Sequence, residues 1–356
     1  MKSLHIKPVL LLFLVFFSSC STTKEYILVT LEPASVELES NIKRIGIINE
    51  SLVQQQKEYE NRIEQILSEK DLQLDKEGKK AAIAGLFDEL LKDKRFDTIK
   101  IIEGIPATHK SRKESSEEIS WSKVERLCKE HNVDAIFSLS HYDTETQVSL
   151  RKKKILQANM LRVKEKVRGN EITLETLIEN GWRIYNPKNK QVIDEMVFTE
   201  VLESKAEGVT PVQALIAIED RVKEVSKQSK NKGEAYGMRL LPSENGVVRK
   251  YFIKGGSELQ LAHSYVEVGD WESAVKVWES LQFNTDLKVK SRAIYNLAFY
   301  EEIKGNLGGA LYLANKAQEI QSSKVYQYYV KVLQERIEEN EIVKEQLART
   351  YFQEVF

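Results

Sequence analysis

The chain has 356 residues, and its 53 Lys and Arg against 54 Asp and Glu leave a formal net charge of −1, which argues against nucleic acid as the main partner. With 42% hydrophobic and 30% charged residues, 6 Pro and 16 Gly, it is neither disordered nor a multi-span membrane protein, and its length suits two domains or one domain plus a helical array. Two cysteines, Cys20 and Cys128, exclude a disulfide framework and a four-ligand zinc site.

Lys2 and Lys7 give a positive start, Val9 to Phe17 is an unbroken apolar run, and Ser18 and Ser19 precede Cys20. A basic region, a short apolar core and small residues make a secretory signal, and the apolar run is too short to span a bilayer. With a cysteine directly after the small pair, the segment resembles a bacterial lipoprotein signal. That resemblance implies cleavage after residue 19 and lipidation of Cys20, so that residues 20–40 form the lipidated end and a tether. Removal of both lysines takes the net charge to −3. Cys128 is then the remaining thiol, read as a buried packing residue.

From 42 to 140 short apolar runs alternate with helical periodicity. A strand is predicted at 42–49, helices at 52–70 and 76–94 with Asp75 capping the second, and a strand at 98–103. A charged loop, 110–118, leads to a helix at 120–131 and a strand at 133–139. Strands separated by helices imply parallel pairing through βαβ units. Beyond 145 the period becomes two, and an antiparallel meander is predicted with turns near 169–170 and 186–190. Thr210 followed by Pro211 starts a helix running to about 230, and a last strand occupies 247–253. The predicted fold class is thus an α/β domain, 41–254, with a mixed sheet and antiparallel meander, followed by an all-α array, 255–356.

The array carries a repeat. Gly269-Asp270-Trp271-Glu272-Ser273-Ala274 and Gly305-Asn306-Leu307-Gly308-Gly309-Ala310 share one template 36 residues apart, with Leu261-Ala262 and Leu297-Ala298 upstream and Trp278 and Ala314 downstream. This resembles the tetratricopeptide repeat. Copies are placed at about 257–283 and 291–320, and a degenerate third at 324–354 breaks at Glu339-Asn340. The resemblance implies a groove lined by the first helix of each pair. Its exposed positions would be Leu259, His263, Val266 and Glu267 in one copy and Arg292, Tyr295, Phe299 and Glu302 in the next.

With the lipid signal, Gly181-Trp182-Arg183-Ile184-Tyr185-Asn186-Pro187, Tyr236-Gly237-Met238-Arg239-Leu240-Leu241-Pro242, Arg249-Lys250-Tyr251-Phe252 and the two repeats, the chain resembles a group of tetratricopeptide lipoproteins of Gram-negative bacteria, a group without an assigned activity. The α/β part is more loosely similar to small periplasmic domains of Tol-type and curli-secretion lipoproteins. No phosphate loop, dinucleotide fingerprint, nucleophile elbow or zinc-protease motif occurs. Cys128 and His131 have the spacing of half a metal site, without a second pair to complete it, and Arg151 to Lys154 reads as a solvated strand edge. The expectation is a non-enzymatic, cofactor-free and metal-free lipoprotein of the cell envelope, with the outer membrane favoured. It would bind an envelope protein or peptide, not nucleic acid, through its groove. The second reading is an enzyme or glycan-handling lipoprotein with a pocket at the sheet's strand ends, near Asp134, Asp143 and Glu145.

Overall fold

A computed structural model describes residues 21–51, 62–104, 119–158, 162–218 and 220–351. The lipid signal with Cys20, much of the charged loop and the last residues lie outside the described residues. In chain order a mixed α/β sheet region is followed by an all-helical array. By packing, the described residues divide into two units: Ser21–Glu32 with Glu244–Ile342, and the described part of Pro33–Ser243 with Val343–Tyr351. This division differs from a boundary at 254/255, because the first and last strands pack with the helices.

The larger unit holds β2 (Arg44–Asn49), α1 (Arg62–Leu90), β3 (Thr98–Ile101), α2 (Trp121–His131), β4 (Ala135–Ala158), β5 (Lys164–Asn186), β6 (Gln191–Gly208), α3 (Pro211–Ile216) and α4 (Arg221–Met238). The sheet order is β3-β2-β4-β5-β6. β2 pairs parallel with β3 and β4, and β4, β5 and β6 pair antiparallel. A register shift between Leu139 and His141 changes which residues of β4 face the helices. The core on one face joins Ile45, Ile47, Phe137, Leu139, Ile178, Trp182 and Ile184 to Leu74, Leu86, Leu90, Val225 and Tyr236 of α1 and α4. On the other face α2 contributes Val124, Leu127 and Cys128 to a smaller core with Ile48, Ile136 and Tyr185.

Three sequence readings are corrected here. The two expected helical stretches are, where described, one helix, Arg62–Leu90, and Asp75 sits inside it. Its carboxylate caps nothing; instead it accepts a hydrogen bond from Thr144 Oγ1 at 2.6 Å. Gly169 and Asn170 are not a turn but lie within β5, opposite Lys153 and Lys152. A Cβ at Gly169 would stand 2.5 Å from Ile155 Cδ1, so this glycine is a packing notch rather than a bend. The helix expected from 210 to 230 is two helices. Thr210 and Gln213 form the predicted start as a reciprocal capping box, and Asp220 at φ 58° opens the second helix.

α1 and α4 approach closely because glycine removes side chains at their contact. A Cβ on Gly233 would lie 2.0 Å from the Ala82 carbonyl oxygen. Between this helix pair and the sheet lies a polar layer. Arg221 donates to Asp71 at 3.1 Å and to Thr176 at 2.9 Å, and Tyr142 and Ser229 share a 2.8 Å hydrogen bond.

The smaller unit joins strands β1 (Thr23–Glu32) and β7 (Ser243–Phe252) to helices α5 (Ser257–Glu267), α6 (Trp271–Leu281), α7 (Leu287–Ile303) and α8 (Leu307–Ile320), and to the part of α9 (Lys324–Tyr351) up to Ile342. Residues 23–32 are therefore not a tether but a strand. The turns at Gly269 and Gly305 have φ 79° and 78°, a region glycine enters without strain. Each is followed by a helix cap: Asp270 accepts from Ser273 N–H and Asn306 from Gly309 N–H, both at 3.1 Å. Ala274 and Ala310 are fully buried. The break expected at Glu339-Asn340 is absent, and α9 is continuous there. Asparagine costs a helix interior well under about 1 kcal/mol, too little to end one.

Candidate functional site

The groove expected on the array is already filled by the chain itself. β1 and β7 form a two-stranded ribbon. Ile253 N–H donates to Thr22 O, and Asn245 lies beside Thr30 and Glu32, so the strands run antiparallel. Side chains alternate along the ribbon; Tyr26 and Tyr251 belong to the set that enters the array, and Phe252, next along the strand on its other side, is buried in the array as well. Tyr251 stacks on Phe299 at 5.4 Å with a 2° interplanar angle, and Tyr26 meets Phe299 and Trp271 edge-on at 5.6 and 5.4 Å. Phe252 packs against Tyr295 at 5.1 Å and Tyr326 at 5.7 Å, with the Arg292 guanidinium 5.0 Å from its ring centre.

Polar contacts fix this strand as well. Phe252 N–H donates to Asn296 Oδ1 at 2.7 Å, and Asn296 Nδ2 donates to Phe252 O at 2.7 Å. One fully buried amide thus reads both main-chain groups of an extended residue, as a neighbouring strand would. Arg292 Nη1 donates to Lys254 O. At Gly255, φ 127°, a Cβ would stand 2.7 Å from that same Nη1, so glycine makes room for the arginine. Arg249 Nε donates to both oxygens of Glu302, at 2.9 and 3.2 Å, and Tyr329 OH and Arg336 complete the carboxylate's shell. Burial raises the Tyr251 hydroxyl to about 12, so it keeps its proton. It lies 2.8 Å from His263 Nδ1, and His263 Nε2 is 3.4 Å from Glu267.

The sequence-predicted groove residues are therefore brought together, and most of them are buried. Leu259, Val266, Arg292, Tyr295, Phe299 and Glu302 are buried, Phe299 completely, while His263 is half-buried and Glu267 is exposed. The correction is physical: aromatic and arginine side chains suited to an extended peptide hold β7 of the same chain. Sequence reasoning missed Asn296, Tyr26, Tyr251 and Phe252 as parts of this site. The signal available was Arg249-Lys250-Tyr251-Phe252 ahead of two glycines, an aromatic strand end placed directly before the array.

The strand-end alternative is not assembled from the residues expected. Asp134 stands before β4, at the opposite end from the strands' C-termini, and Arg44 at 2.6 Å with the main-chain N–H of Lys43 and Arg44 holds it. Those bonds keep its carboxyl below the usual range despite some burial. Asp143 lies opposite Glu179 farther along β4. At the C-terminal end of β2, burial raises Glu50, which accepts from Ser138 Oγ. Neighbouring Arg183 is bound to Glu195 at 2.6 Å. A cleft of about 170 Å³ elsewhere in this unit is lined by Val36, Leu38, Phe96, Arg95 and Arg349. Its two arginines are already paired, Arg95 with Asp93 and Arg349 with Glu37. Cys128 is buried, and burial pushes its thiol up to about 11, which leaves it unreactive. Lys153 of the basic run binds Glu171 and Glu207.

Among the described residues no helix is long and apolar enough to cross a membrane. The chain belongs to the family defined by a domain of unknown function, DUF8603, whose model matches residues 42–252. A second domain of unknown function, DUF6340, matches residues 260–353. No curated protein matches the chain.

Proposed function

We propose that this DUF8603-family chain is a lipid-anchored protein of the cell envelope, with a tetratricopeptide-like array that serves as a scaffold for an extended segment of an envelope partner. The observation that carries the reading is the Asn296 clamp on both main-chain groups of Phe252, a contact that recognises extended backbone rather than a particular side chain. The partner joins the ribbon instead of displacing it. Removing β7 would expose Tyr251 and Phe252, about 2–3 kcal/mol each, before the Asn296 and Glu302 contacts are counted. Adding a strand to β1 requires no such loss, and sheet-edge addition is a recurrent mode of peptide binding.

Ladder alternation identifies the groups that would pair. Because Thr22 O bonds to β7, the main-chain groups of even-numbered residues in β1 point to β7 and those of Glu25, Ile27 and Val29 point to the open edge. Proline at such a position removes an outward N–H and leaves the ribbon's own ladder intact. Photo-crosslinking from β1 in intact cells, followed by mass spectrometry, should identify an envelope protein. Glu25→Pro should abolish the crosslink while circular dichroism and membrane attachment stay unchanged. A folded Glu25→Pro chain that still crosslinks to the same partner sinks the edge-addition reading.

A further inference from the structure

We infer that the outward face of the β1–β7 ribbon rests on the lipid surface, with Ile27, Val29, Leu31 and Val248 as the side chains that enter it. This rests on the lipid-anchored reading of Cys20 given above. Alternation along β1 buries Leu28 and Thr30 and turns Ile27 and Val29 outward, 71% and 61% exposed, with Leu31 at 40%. Across the ribbon Val248 is 55% exposed, and the antiparallel register sets it beside Ile27. A Cβ on neighbouring Gly246 would lie 3.4 Å from Ile27 Cγ2, so the strands lie close there, and the apolar strip is bounded on its Cys20 side by the Glu25–Lys250 ion pair at 3.3 Å.

Such a strip is unusual on an edge strand, where charges and proline normally prevent unwanted pairing. Its place in the chain identifies the occupant. Thr23, the first residue of β1, is three residues from Cys20. At roughly 3.3–3.6 Å per residue, the strand begins within about 11 Å of a lipidated Cys20. The polar layer of a bilayer leaflet is itself roughly 5–8 Å thick. No spacer then separates the anchor from folded structure, and the ribbon starts at headgroup level. Lipid chains supply the attachment, and the apolar strip fixes which face of the ribbon meets the bilayer. An interfacial surface needs only such a shallow apolar contact beside a lipid anchor.

The test uses the full lipidated chain in phosphatidylethanolamine–phosphatidylglycerol vesicles. Ile27→Cys, Val29→Cys and Phe283→Cys are each made with Cys128→Ala and labelled with a fluorophore; Phe283, 87% exposed on the array, is the control. Quenching by nitroxide lipids should be several-fold stronger at 27 and 29 than at 283, and aqueous iodide should show the reverse order. Labels at 27 and 29 as open to iodide as the label at 283 would overturn the inference. So would shielding at 27 and 29 without vesicles in a Cys20→Ser chain that sediments as a dimer, since a second copy would then cover the strip. Mass spectrometry of the purified chain tests the anchor separately. If it carries no acyl group the anchored reading fails, and lipid quenching of the same labels after mixing the soluble chain with vesicles still decides the ribbon's face.

Discussion

Replacing Asn296 by leucine tests whether the array holds its own strand as described. The side chain keeps a similar volume but loses an acceptor for Phe252 N–H and a donor for Phe252 O, each bond 2.7 Å long in a site closed to water. Leaving a buried donor or acceptor unpaired costs about 1–3 kcal/mol, so the two groups together should cost about 2–6 kcal/mol. Urea unfolding of the full chain should show this loss in the transition that carries the array. Hydrogen exchange should speed up most at the Phe252 amide and along β7. Asn296→Asp keeps the acceptor for the N–H but sets a second oxygen against the Phe252 carbonyl. It should be no more stable than the leucine variant near neutral pH, and should recover in part as the carboxyl gains a proton. An Asn296→Leu chain with unchanged midpoint and unchanged exchange at Phe252 would refute the clamp.

Asp75 is buried and its carboxyl is pushed up to about 6, chiefly by burial, with Lys79 and the Thr144 hydrogen bond opposing. The native state therefore binds the proton more tightly than the unfolded chain, and this residue's contribution to stability falls as pH rises from about 4 to about 6, by up to about 3 kcal/mol. Asp75→Asn keeps the acceptor for Thr144 and replaces an oxygen without a partner. It should flatten that slope and raise stability at pH 8 by about 1–3 kcal/mol, less whatever Lys79 loses; an unchanged pH profile by thermal melting would contradict the assignment. Gly233→Ala drives a methyl into the Ala82 carbonyl and should cost about 1–3 kcal/mol by overpacking, measured by denaturant unfolding; no loss would mean the helices stand farther apart. Glu302→Gln removes a fully buried charge between Arg249 and Arg336 and should destabilise by about 3–5 kcal/mol, with a neutral result arguing against that network.

The legible parts of the fold were those set by local chemistry. Thr210 and Pro211 marked a helix start because capping and a fixed φ act within a few residues. The spacing of Gly269 and Gly305 marked two turns for the same reason. Asp75 misled because an aspartate inside a helix looks like a cap until its tertiary partner, Thr144 on a strand 69 residues away, is known. Gly169-Asn170 misled because a turn pair and a packing notch have the same composition. At the site, the resemblance to the tetratricopeptide repeat implied one surface for His263, Arg292, Tyr295, Phe299 and Glu302, but not its occupant. That occupant comes from segments on both sides of the long sheet region, Tyr26 and Arg249 to Phe252, and no local pattern links them.

The identity of the occupant also decides how the array can bind anything else. Four residues, Ile253 to Gly256, join β7 to α5, so β7 meets its groove at an effective concentration of millimolar order or above. A free peptide making the same contacts with micromolar affinity would face a competitor favoured by about a thousandfold at micromolar peptide. Such a peptide would leave the ribbon in place at any ordinary concentration. An unfilled groove would instead expose Tyr295, Phe299, Trp271 and Tyr326 together, an apolar area large enough to promote aggregation. The array stays closed on β7, and any partner of the kind proposed above would gain its energy from surface that the closed state leaves outside, such as the open edge of β1.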